Sequence, residues 1–378
     1  MQFSQVKGQK ALKERIISLI DENRFPHAVL FNGKDGYGNL ALALATAQYI
    51  SCTSRIESKD SCSECLSCKK YQRLVHPDLH LIFPNTTTKS ITKNNESKLF
   101  VNQFRDFVLK TNAYCSLSEW YYHLGSENKQ GVINVRDANT IISDLTLKTY
   151  ESPYKILIIW NIDKMTQDAS DKILKILEEP YPNTFFLLTT ENKDKIIPTI
   201  LSRVQQIIVP RLDNDTMYYE IKQLYGDLTD EEIKLKVALC DGDYNKIKQT
   251  NTQVEQDMQK EFMTITRLAM MYRTRAKEIL DFVDVFSKHT RDELKASLSY
   301  FLDLIDKCYL YNNGVPMPAH PLGEMEDRFK NNFPQFITQN NIESIYHVIE
   351  QAQKNIDFNS NNKINIFDMI IKLGRLLN

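Results

Sequence analysis

The fold is decided by one stretch of sequence, HAVLFNGKDGYGNLALALATAQYI, which occupies residues 27–50. Its first six residues, 27–32, form a short and mostly apolar run that indicates a buried strand. Gly33 ends this strand and opens a loop that runs to Gly38. The following residues, Leu40 to Ile50, are rich in alanine and leucine and favour a helix. Strand, glycine-bearing loop and helix in this order predict the first unit of an α/β fold.

The rest of the chain continues this pattern and then abandons it. Short apolar runs separated by helical stretches predict a parallel sheet covered by helices; these runs are 79–83, 155–160, 185–190 and 206–209. The polar and then aromatic stretch at about 85–130 is long for a plain connection, so we interpret it as an insertion without an assigned role. From about residue 211 strand-like runs vanish, and helical periodicity predicts an all-helical C-terminal region. One apolar helix face there carries Leu294, Leu298, Phe301, Leu302 and Ile305.

Length and charge limit the possible classes of protein. The 378 residues exceed one typical core and predict two or three domains. Lys plus Arg number 47 against 48 Asp plus Glu, so no overall positive field advertises nucleic-acid binding. The first residues lack the apolar segment of a signal peptide, and no run reaches the roughly 18 apolar residues of a membrane span. We therefore expect a cytoplasmic protein.

The loop after the first strand fits the P-loop frame G-x-x-x-x-G-K-[ST] only in its glycines, Gly33 and Gly38. Asn39 occupies the position of the lysine that reaches the β- and γ-phosphates, and Leu40 that of the hydroxyl residue that ligates Mg²⁺. Lys34 lies inside the loop, where its side chain is not directed as the missing lysine would be. The frame is therefore present without its phosphate-binding chemistry.

The second acidic motif of a P-loop ATPase (Walker B) is degraded in the same way, in KILIIWNIDKM at residues 155–165. An active enzyme ends this strand with an Asp for Mg²⁺ and a Glu for water, and here Trp160 and Asn161 occupy those places. Asp163 follows two residues later, and we interpret it as a surface carboxylate that precedes a helix. Four replacements in two motifs predict that the chain does not hydrolyse ATP.

Four of the seven cysteines lie close together, Cys52, Cys62, Cys65 and Cys68, with the spacing C-x₉-C-x₂-C-x₂-C. In a reducing compartment such a cluster indicates a metal site instead of disulfides. Four thiolates suggest tetrahedral zinc, with an iron–sulfur cluster as the chemical alternative and unligated thiols as a weaker one. A site filled by four protein ligands leaves no position for a substrate, so its role is structural or interfacial.

Three further motifs reveal a family resemblance: KILKILEEP at 172–180, TFFLLTT at 184–190 and ILSRV at 200–204. They resemble the clamp-loader subunits of bacterial DNA polymerase III, which belong to the AAA+ class. The resemblance covers roughly residues 1–210, including 25–28 and 76–79. It implies an AAA+ domain at 1–209 with a zinc module at 52–68, a helical lid at 210–258 and a helical collar at 259–378. It also favours zinc at the cysteines.

The resemblance further implies a role in a complex. Degraded ATP motifs are typical of the family's non-catalytic members. Ser202-Arg203-Val204 resembles the family's Ser-Arg-Cys motif, whose arginine projects across a subunit interface towards ATP bound next door. Arg203, with Ser202, is thus the predicted catalytic contribution, in trans. The implied partners are gamma/tau-like and delta-like subunits, the sliding clamp and, through the complex, primer–template DNA.

Two alternatives from other classes remain open. An active gamma/tau-type ATPase would share the cysteines and the Ser-Arg motif, but Asn39 and Trp160 argue against it. A zinc-containing nucleic-acid-binding protein would need a concentrated basic surface near the cysteines, where only Lys69, Lys70 and Arg73 stand.

One helix can be predicted in detail from local signals. The segment 166–179 is expected to be capped by Thr166, favoured by Asp168 near its positive end and stopped by Pro180.

Overall fold

The computed structural model describes residues 1–378 except 56–59, 89–90, 127–128, 227, 250–251, 316–321, 323–324, 326, 359 and 378. The chain divides into two compact units, Met1–Gln249 and Thr250–Asn378.

The first unit alternates helices and strands. In chain order its elements are α1 (Lys10–Asp21), β1 (Ala28–Asn32), α2 (Asn39–Ile50), α3 (Leu66–Gln72), β2 (Leu79–Ile82), α4 (Val101–Thr111), α5 (Leu117–His123), α6 (Val135–Thr146), β3 (Lys155–Ile159), α7 (Gln167–Glu178), β4 (Thr184–Thr190), α8 (Pro198–Leu201), β5 (Gln205–Ile208), α9 (Asn214–Leu224), α10 (Asp230–Cys240) and α11 (Tyr244–Gln249).

The five strands found in the described residues form one parallel sheet in the order β2-β3-β4-β1-β5. The strands β1, β3 and β4 are buried on both faces because alternate residues enter two different apolar cores, whereas the edge strand β5 is mostly exposed. Val29 and Phe31 join the core beneath α1 and α2, whereas Ala28 and Leu30 join the one beneath α6 and α7. This arrangement confirms the predicted α/β class, and each predicted strand agrees with an observed one to within a residue at either end.

The helix predicted at 166–179 is α7, with one local correction. Thr166 is its N-cap residue, but the Thr166 side chain makes no capping hydrogen bond, and its hydroxyl is buried without a partner. Asp168 lies in the first turn as expected. The capping prediction was wrong because an N-cap residue type does not fix the rotamer of its hydroxyl.

The described residues of the insertion at about 85–130 are a folded part of the first unit. The insertion contributes α4 and α5, and its aromatic side chains join the core: Phe104 stacks on Phe83 with ring centroids 3.8 Å apart, and Trp120 meets both rings edge-on. The Trp120 indole N–H donates to the carbonyl oxygen of Pro84 at 2.8 Å. Its apolar residues therefore extend the sheet's core beyond β2.

Helices α9 to α11 also belong to the first unit. Their apolar side chains, with Leu212 just before α9, lie in the same core as the helices of the sheet domain; these are Leu212, Met217, Ile221, Ile233, Val237, Cys240, Tyr244 and Ile247. The first compact unit ends at residue 249. The helical lid at 210–258 and the helical collar at 259–378 stay predictions.

The second unit is helical throughout its described residues, as predicted. Its helices are α12 (Thr252–Met270), α13 (Ala276–Phe286), α14 (Arg291–Asn312), α15 (Asp327–Asn332), α16 (Ile342–Asp357) and α17 (Asn362–Leu376). The apolar face predicted on α14 faces the core of this unit. Among the helices in the described part of the chain, none combines the length and apolarity needed to cross a membrane.

Candidate functional site

The glycine-bearing loop of residues 33–38, predicted to be a degenerate P-loop, lies between β1 and α2, at the carboxyl end of the parallel strands. Asp35–Tyr37 form a single 3₁₀ turn, and Gly38 adopts the left-handed conformation with φ of 96° that glycine tolerates best. A Cβ atom at Gly33 would lie 2.5 Å from the carbonyl oxygen of Val209. Both glycines of the frame are thus required by the backbone itself, with or without a phosphate.

Asn39 closes the loop from inside. It is fully buried, and its side-chain amide donates to the carbonyl oxygens of Gly33 and, at 3.3 Å, of Thr190. The next residue, Leu40, is buried in the core. Lys34 is exposed, with its ammonium nitrogen 6.0 Å from the centre of the Tyr37 ring. Neither replacement residue therefore directs a cationic or hydroxyl group into the loop.

Residues from two other segments cover the loop. The Tyr114 ring of the insertion lies against Gly38, where a Cβ would be 2.9 Å from the phenol oxygen. Asp243, in the turn between α10 and α11, lies against Gly36, and its Oδ1 stands 1.7 Å from where a Cβ there would be. Tyr114 and Asp243 consequently cover the loop at Gly38 and Gly36, respectively.

The end of β3 is joined directly to the loop. Asn161 is buried in the left-handed conformation, its N–H donates to the hydroxyl of Thr189 at 3.0 Å, and its side-chain amide approaches Asp35 Oδ2 at 3.5 Å. Trp160 is buried against Phe104 of the insertion, with ring centroids 5.5 Å apart. Trp160 and Asn161, predicted to replace catalytic carboxylates, thus make structural contacts.

Acidic groups surround this junction. Burial, followed by the charge of Glu191, raises the pKa of Asp35 well above its ordinary value. Glu191 Oε1 accepts the N–H of Asp35 at 2.9 Å. Asp163, predicted to be a surface carboxylate, has a side chain only 5% exposed that accepts from the Thr190 hydroxyl at 2.8 Å. That prediction was wrong because the turn after Asn161 folds back towards the end of β4.

The four predicted cysteines come together between α2 and α3. Their sulfur atoms all lie within 4.8 Å of one another, with Cys52 and Cys62 Sγ 3.6 Å apart and Cys62 and Cys68 Sγ 3.9 Å apart. Four sulfurs bound tetrahedrally to zinc at about 2.3 Å would stand about 3.8 Å from each other. The cysteines are free thiols in a geometry that fits one tetrahedral metal ion.

Backbone N–H groups support this cluster. Cys62 N–H points at Cys52 Sγ, Cys65 N–H at Cys62 Sγ and Cys68 N–H at Cys65 Sγ, over 3.3–3.4 Å. Burial opposes ionisation of the Cys65 thiol, but hydrogen bonds led by the Cys68 N–H outweigh it and lower its pKa to about 6. Donors aimed at sulfur stabilise thiolates, the form that binds a metal.

Asp60, which lies between Cys52 and Cys62, is tied to the start of the chain. Asp60 accepts the N–H groups of Phe3 and Ser4 at 3.0 and 2.9 Å, and that of Ser61 at 2.7 Å. Residue 60 thereby links the cysteine cluster to the core under α2.

Ser202 and Arg203 lie between α8 and β5, away from the cysteines. The Arg203 side chain is 31% exposed and forms an ion pair with Glu178, the last residue of α7. Ser202 Oγ donates to the Thr199 carbonyl oxygen at 3.0 Å. Together with His27 and Leu177, these residues line an open cleft.

Sequence reasoning missed the residues that complete these sites. Tyr114 and Asp243 are distant in sequence from the loop, so no local signal could reveal their contacts with it. Asp35 could have been noticed as an acidic residue inside a P-loop frame, where phosphates disfavour a carboxylate. Glu178 could have been noticed as a carboxylate at the end of a helix that ends just before Pro180.

Comparisons with known proteins agree with the resemblance. Residues 8–213 match the family model described as "DNA polymerase III, delta subunit". That match covers more than half of the chain and includes the loop, the cysteines and Arg203.

Individual relatives match between about half and two thirds of the chain. The subunit delta′ of DNA polymerase III from Bacillus subtilis is 28% identical over 205 residues, 53% of this chain and 48% of that protein. The Haemophilus influenzae subunit delta′ is 26% identical over 227 residues, 60% of this chain and 55% of its own. The tau/gamma subunit of the latter organism is 23% identical over 231 residues, 61% of this chain and 26% of its own. The chain thus spans about half the length of the delta′ relatives it matches.

Proposed function

Because the chain belongs to the DNA polymerase III delta-subunit family, we propose that it acts as the delta-prime-type, non-catalytic subunit of a clamp loader. In DNA replication it would help a hetero-oligomeric complex, part of the polymerase III holoenzyme, to place the sliding clamp on primed DNA. ATP is bound by gamma/tau-like neighbours, and a delta-like subunit completes the assembly. This chain contributes an interface and Arg203, and it does not hydrolyse ATP itself.

The observation that carries this proposal is the internal filling of the degenerate P-loop. Asn39 bonds to the loop's own carbonyl oxygen, Tyr114 lies against Gly38, and Asp35 buries a carboxyl group within the turn. ATP binding to a P-loop requires free backbone N–H groups, a lysine and a hydroxyl for Mg²⁺. A buried carboxyl group also disfavours phosphate through like charge when it is ionised.

Arg203 has the chemistry and exposure of a residue that acts on a neighbour. Its guanidinium offers a planar fork of donors that suits phosphate oxygens. An arginine supplied to a neighbouring nucleotide can contribute about 10³–10⁵ in rate. With part of its side chain exposed beside an open cleft, Arg203 can meet a second chain without unfolding its own.

The cysteine cluster supports a structural zinc ion. Cys52, Cys62, Cys65 and Cys68 would hold it with all four positions filled, so the metal would cross-link the segment between α2 and α3. Structural zinc stabilises small loops that have little core of their own.

The two alternatives receive less support. An active gamma/tau-type ATPase needs groups that Asn39 and Trp160 do not supply. A zinc-containing nucleic-acid-binding protein needs free cations beside the cysteines, but Lys70 is paired with Glu151. A salt-dependent binding assay on the isolated chain tests the latter, and we expect weak binding.

The experiment that tests the proposal measures ATP hydrolysis by a reconstituted loader with clamp and primed DNA. Arg203→Ala is compared with the wild-type chain and with Arg24→Ala, a control that removes another surface ion pair. We expect the isolated chain to be inactive and Arg203→Ala to reduce the rate of the complex by at least about 10³-fold without loss of assembly. ATP hydrolysis by the isolated chain would contradict the non-catalytic assignment. An unchanged rate with Arg203→Ala would leave the chain with a scaffold role only.

A further inference from the structure

Arg203 does not extend freely from the surface, because Glu178 holds one edge of its guanidinium. Glu178 Oε1 accepts a hydrogen bond from Arg203 Nε at 2.6 Å and another from Nη2. Glu178 is the final residue of α7, whereas Arg203 follows α8, so the two side chains meet only through the tertiary fold. Nothing in the local sequence around Arg203 requires this partner.

The other side of the guanidinium is hydrogen-bonded to residues in and just after α8. Arg203 Nη1 donates to the Thr199 carbonyl oxygen at 2.7 Å and to Ser202 Oγ at 3.1 Å. Because Ser202 Oγ itself donates to the same carbonyl oxygen, the three groups form a small closed network. The guanidinium is thereby fixed from two directions.

These contacts leave part of the fork available. A guanidinium has five N–H bonds in one plane, one on Nε and two on each terminal nitrogen. The contact of Nη2 with Glu178 lies on the Nε edge and uses one of its two hydrogens. The second hydrogen of Nη2 therefore points away from Glu178, on the terminal end of the fork, beside the cleft that Glu178 lines with Arg203 and His27.

We propose that Glu178 is a positioning residue for Arg203, which orients the guanidinium so that its terminal end is presented to a phosphate of the neighbouring subunit's nucleotide. This inference rests on the proposed function, because it assigns an orienting partner to the residue that acts in trans. Arginine has many rotamers, and an interaction with the transition state is stronger when the donor is already oriented. Glu178 touches no substrate and acts through Arg203 alone.

The exposure of the pair makes this role testable without unfolding the chain. Side chains of Arg203 and Glu178 are 31% and 46% exposed, and exposed ion pairs contribute little to stability. Glu178→Gln keeps an oxygen acceptor of the same shape and loses the charge, whereas Glu178→Ala removes both. Glu179→Gln is the matched control, one residue away and exposed.

The test measures kcat and KM for ATP in the reconstituted loader with clamp and primed DNA. We expect kcat to fall about threefold with Glu178→Gln and about tenfold with Glu178→Ala, which is the scale of one weakened or lost charge-assisted hydrogen bond. KM, assembly and the melting temperature of the isolated chain should stay unchanged, as should all values for Glu179→Gln. In the Arg203→Ala background, Glu178→Gln should have no further effect, because the two residues act as one unit.

Each alternative outcome contradicts either the positioning role of Glu178 or the trans-acting role of Arg203. If Arg203→Ala lowers the rate but both Glu178 variants behave as wild type, the positioning role is wrong and the proposed function stands. A rate increase with Glu178→Gln would mean that the carboxylate restrains Arg203 and does not orient it for catalysis. An unchanged rate with Arg203→Ala would remove the proposed trans-acting role and the positioning role with it.

Discussion

At the residue scale, the loop between β1 and α2 contains a buried carboxyl group, that of Asp35. Asp35 is only 4% exposed, and its Oδ1 accepts no hydrogen bond within the described residues. Burial and the nearby charge of Glu191 raise the pKa of Asp35. At a pH between the unfolded and the folded pKa, the folded chain therefore keeps the carboxyl proton that the unfolded chain releases. The stabilising effect of this proton is complete below the unfolded pKa and is lost as the pH rises through the folded pKa.

We therefore predict that Asp35→Asn stabilises the protein at alkaline pH. The substitution removes a charge that is unfavourable in the folded state and should raise the free energy of unfolding at pH 8 by about 1–3 kcal/mol, the scale of a buried polar group without a partner. At pH 4, near the unfolded pKa, the gain should be small. Urea unfolding at several pH values measures this, with exposed Asp194→Asn as the control. Equal gains at both pH values would refute the titration argument.

At the element scale, the segment between α2 and α3 depends on its four sulfur atoms. We predict that the purified chain carries one zinc ion, and that Cys62→Ser loses most of it and lowers the melting temperature by several degrees, because one thiolate ligand is missing. Cys308→Ala, in the second unit, should keep a full zinc content. Metal analysis together with thermal unfolding measures both effects. An iron signal with visible absorbance would instead support the iron–sulfur alternative.

The contact between the degenerate loop and the turn before α11 gives a second prediction at this scale. A methyl group at Gly36 would collide with Asp243 Oδ1, so Gly36→Ala should lower the free energy of unfolding by about 1–3 kcal/mol, as overpacking does. Adding Asp243→Ala should recover part of this loss, since it removes the colliding atoms.

The matched control is Gly226→Ala, where an added Cβ has open space. Chemical denaturation of the wild type, Gly36→Ala, Asp243→Ala, the double variant and the control provides the comparison. Additive effects of Gly36→Ala and Asp243→Ala would show that the two residues are not in contact.

At the scale of the whole molecule, the first compact unit ends at residue 249 and includes helices α9 to α11. Eight apolar side chains from 210–249 are buried in the core of that unit. We predict that the fragment 1–249 folds cooperatively and that the fragment 1–209 aggregates. Burying one large apolar side chain contributes about 1.5–3 kcal/mol, so losing the burial of eight, about 12–24 kcal/mol, is comparable with or larger than the roughly 5–15 kcal/mol by which domains are usually stable.

Size-exclusion chromatography and thermal unfolding of the two fragments measure this difference. The zinc content of 1–249 should equal that of the full chain, because all four cysteines and Asp60 lie within it. A soluble, cooperatively unfolding 1–209 would contradict this prediction and support a domain boundary at 209.

The sequence by itself determined the elements, the α/β class, the glycine-bearing loop and the cysteine cluster. Strands β1 and β3 are almost entirely apolar, without alternation of polar and apolar residues. Such a pattern predicts a strand that is buried on both faces of its sheet. The cysteines are close in sequence, so their spacing alone brings three of them to one point. The glycine frame is likewise local, because backbone conformation at Gly38 depends on neighbouring residues.

Only the tertiary structure decided what fills the loop and what holds the arginine. Tyr114 and Asp243 reach the loop from segments more than 70 residues away, and Glu178 reaches Arg203 from a different helix. The burial of Asp163 and the unused hydroxyl of Thr166 depend on the same kind of information. Contacts of this kind follow from how elements pack in three dimensions, and residue type and local spacing do not encode that packing.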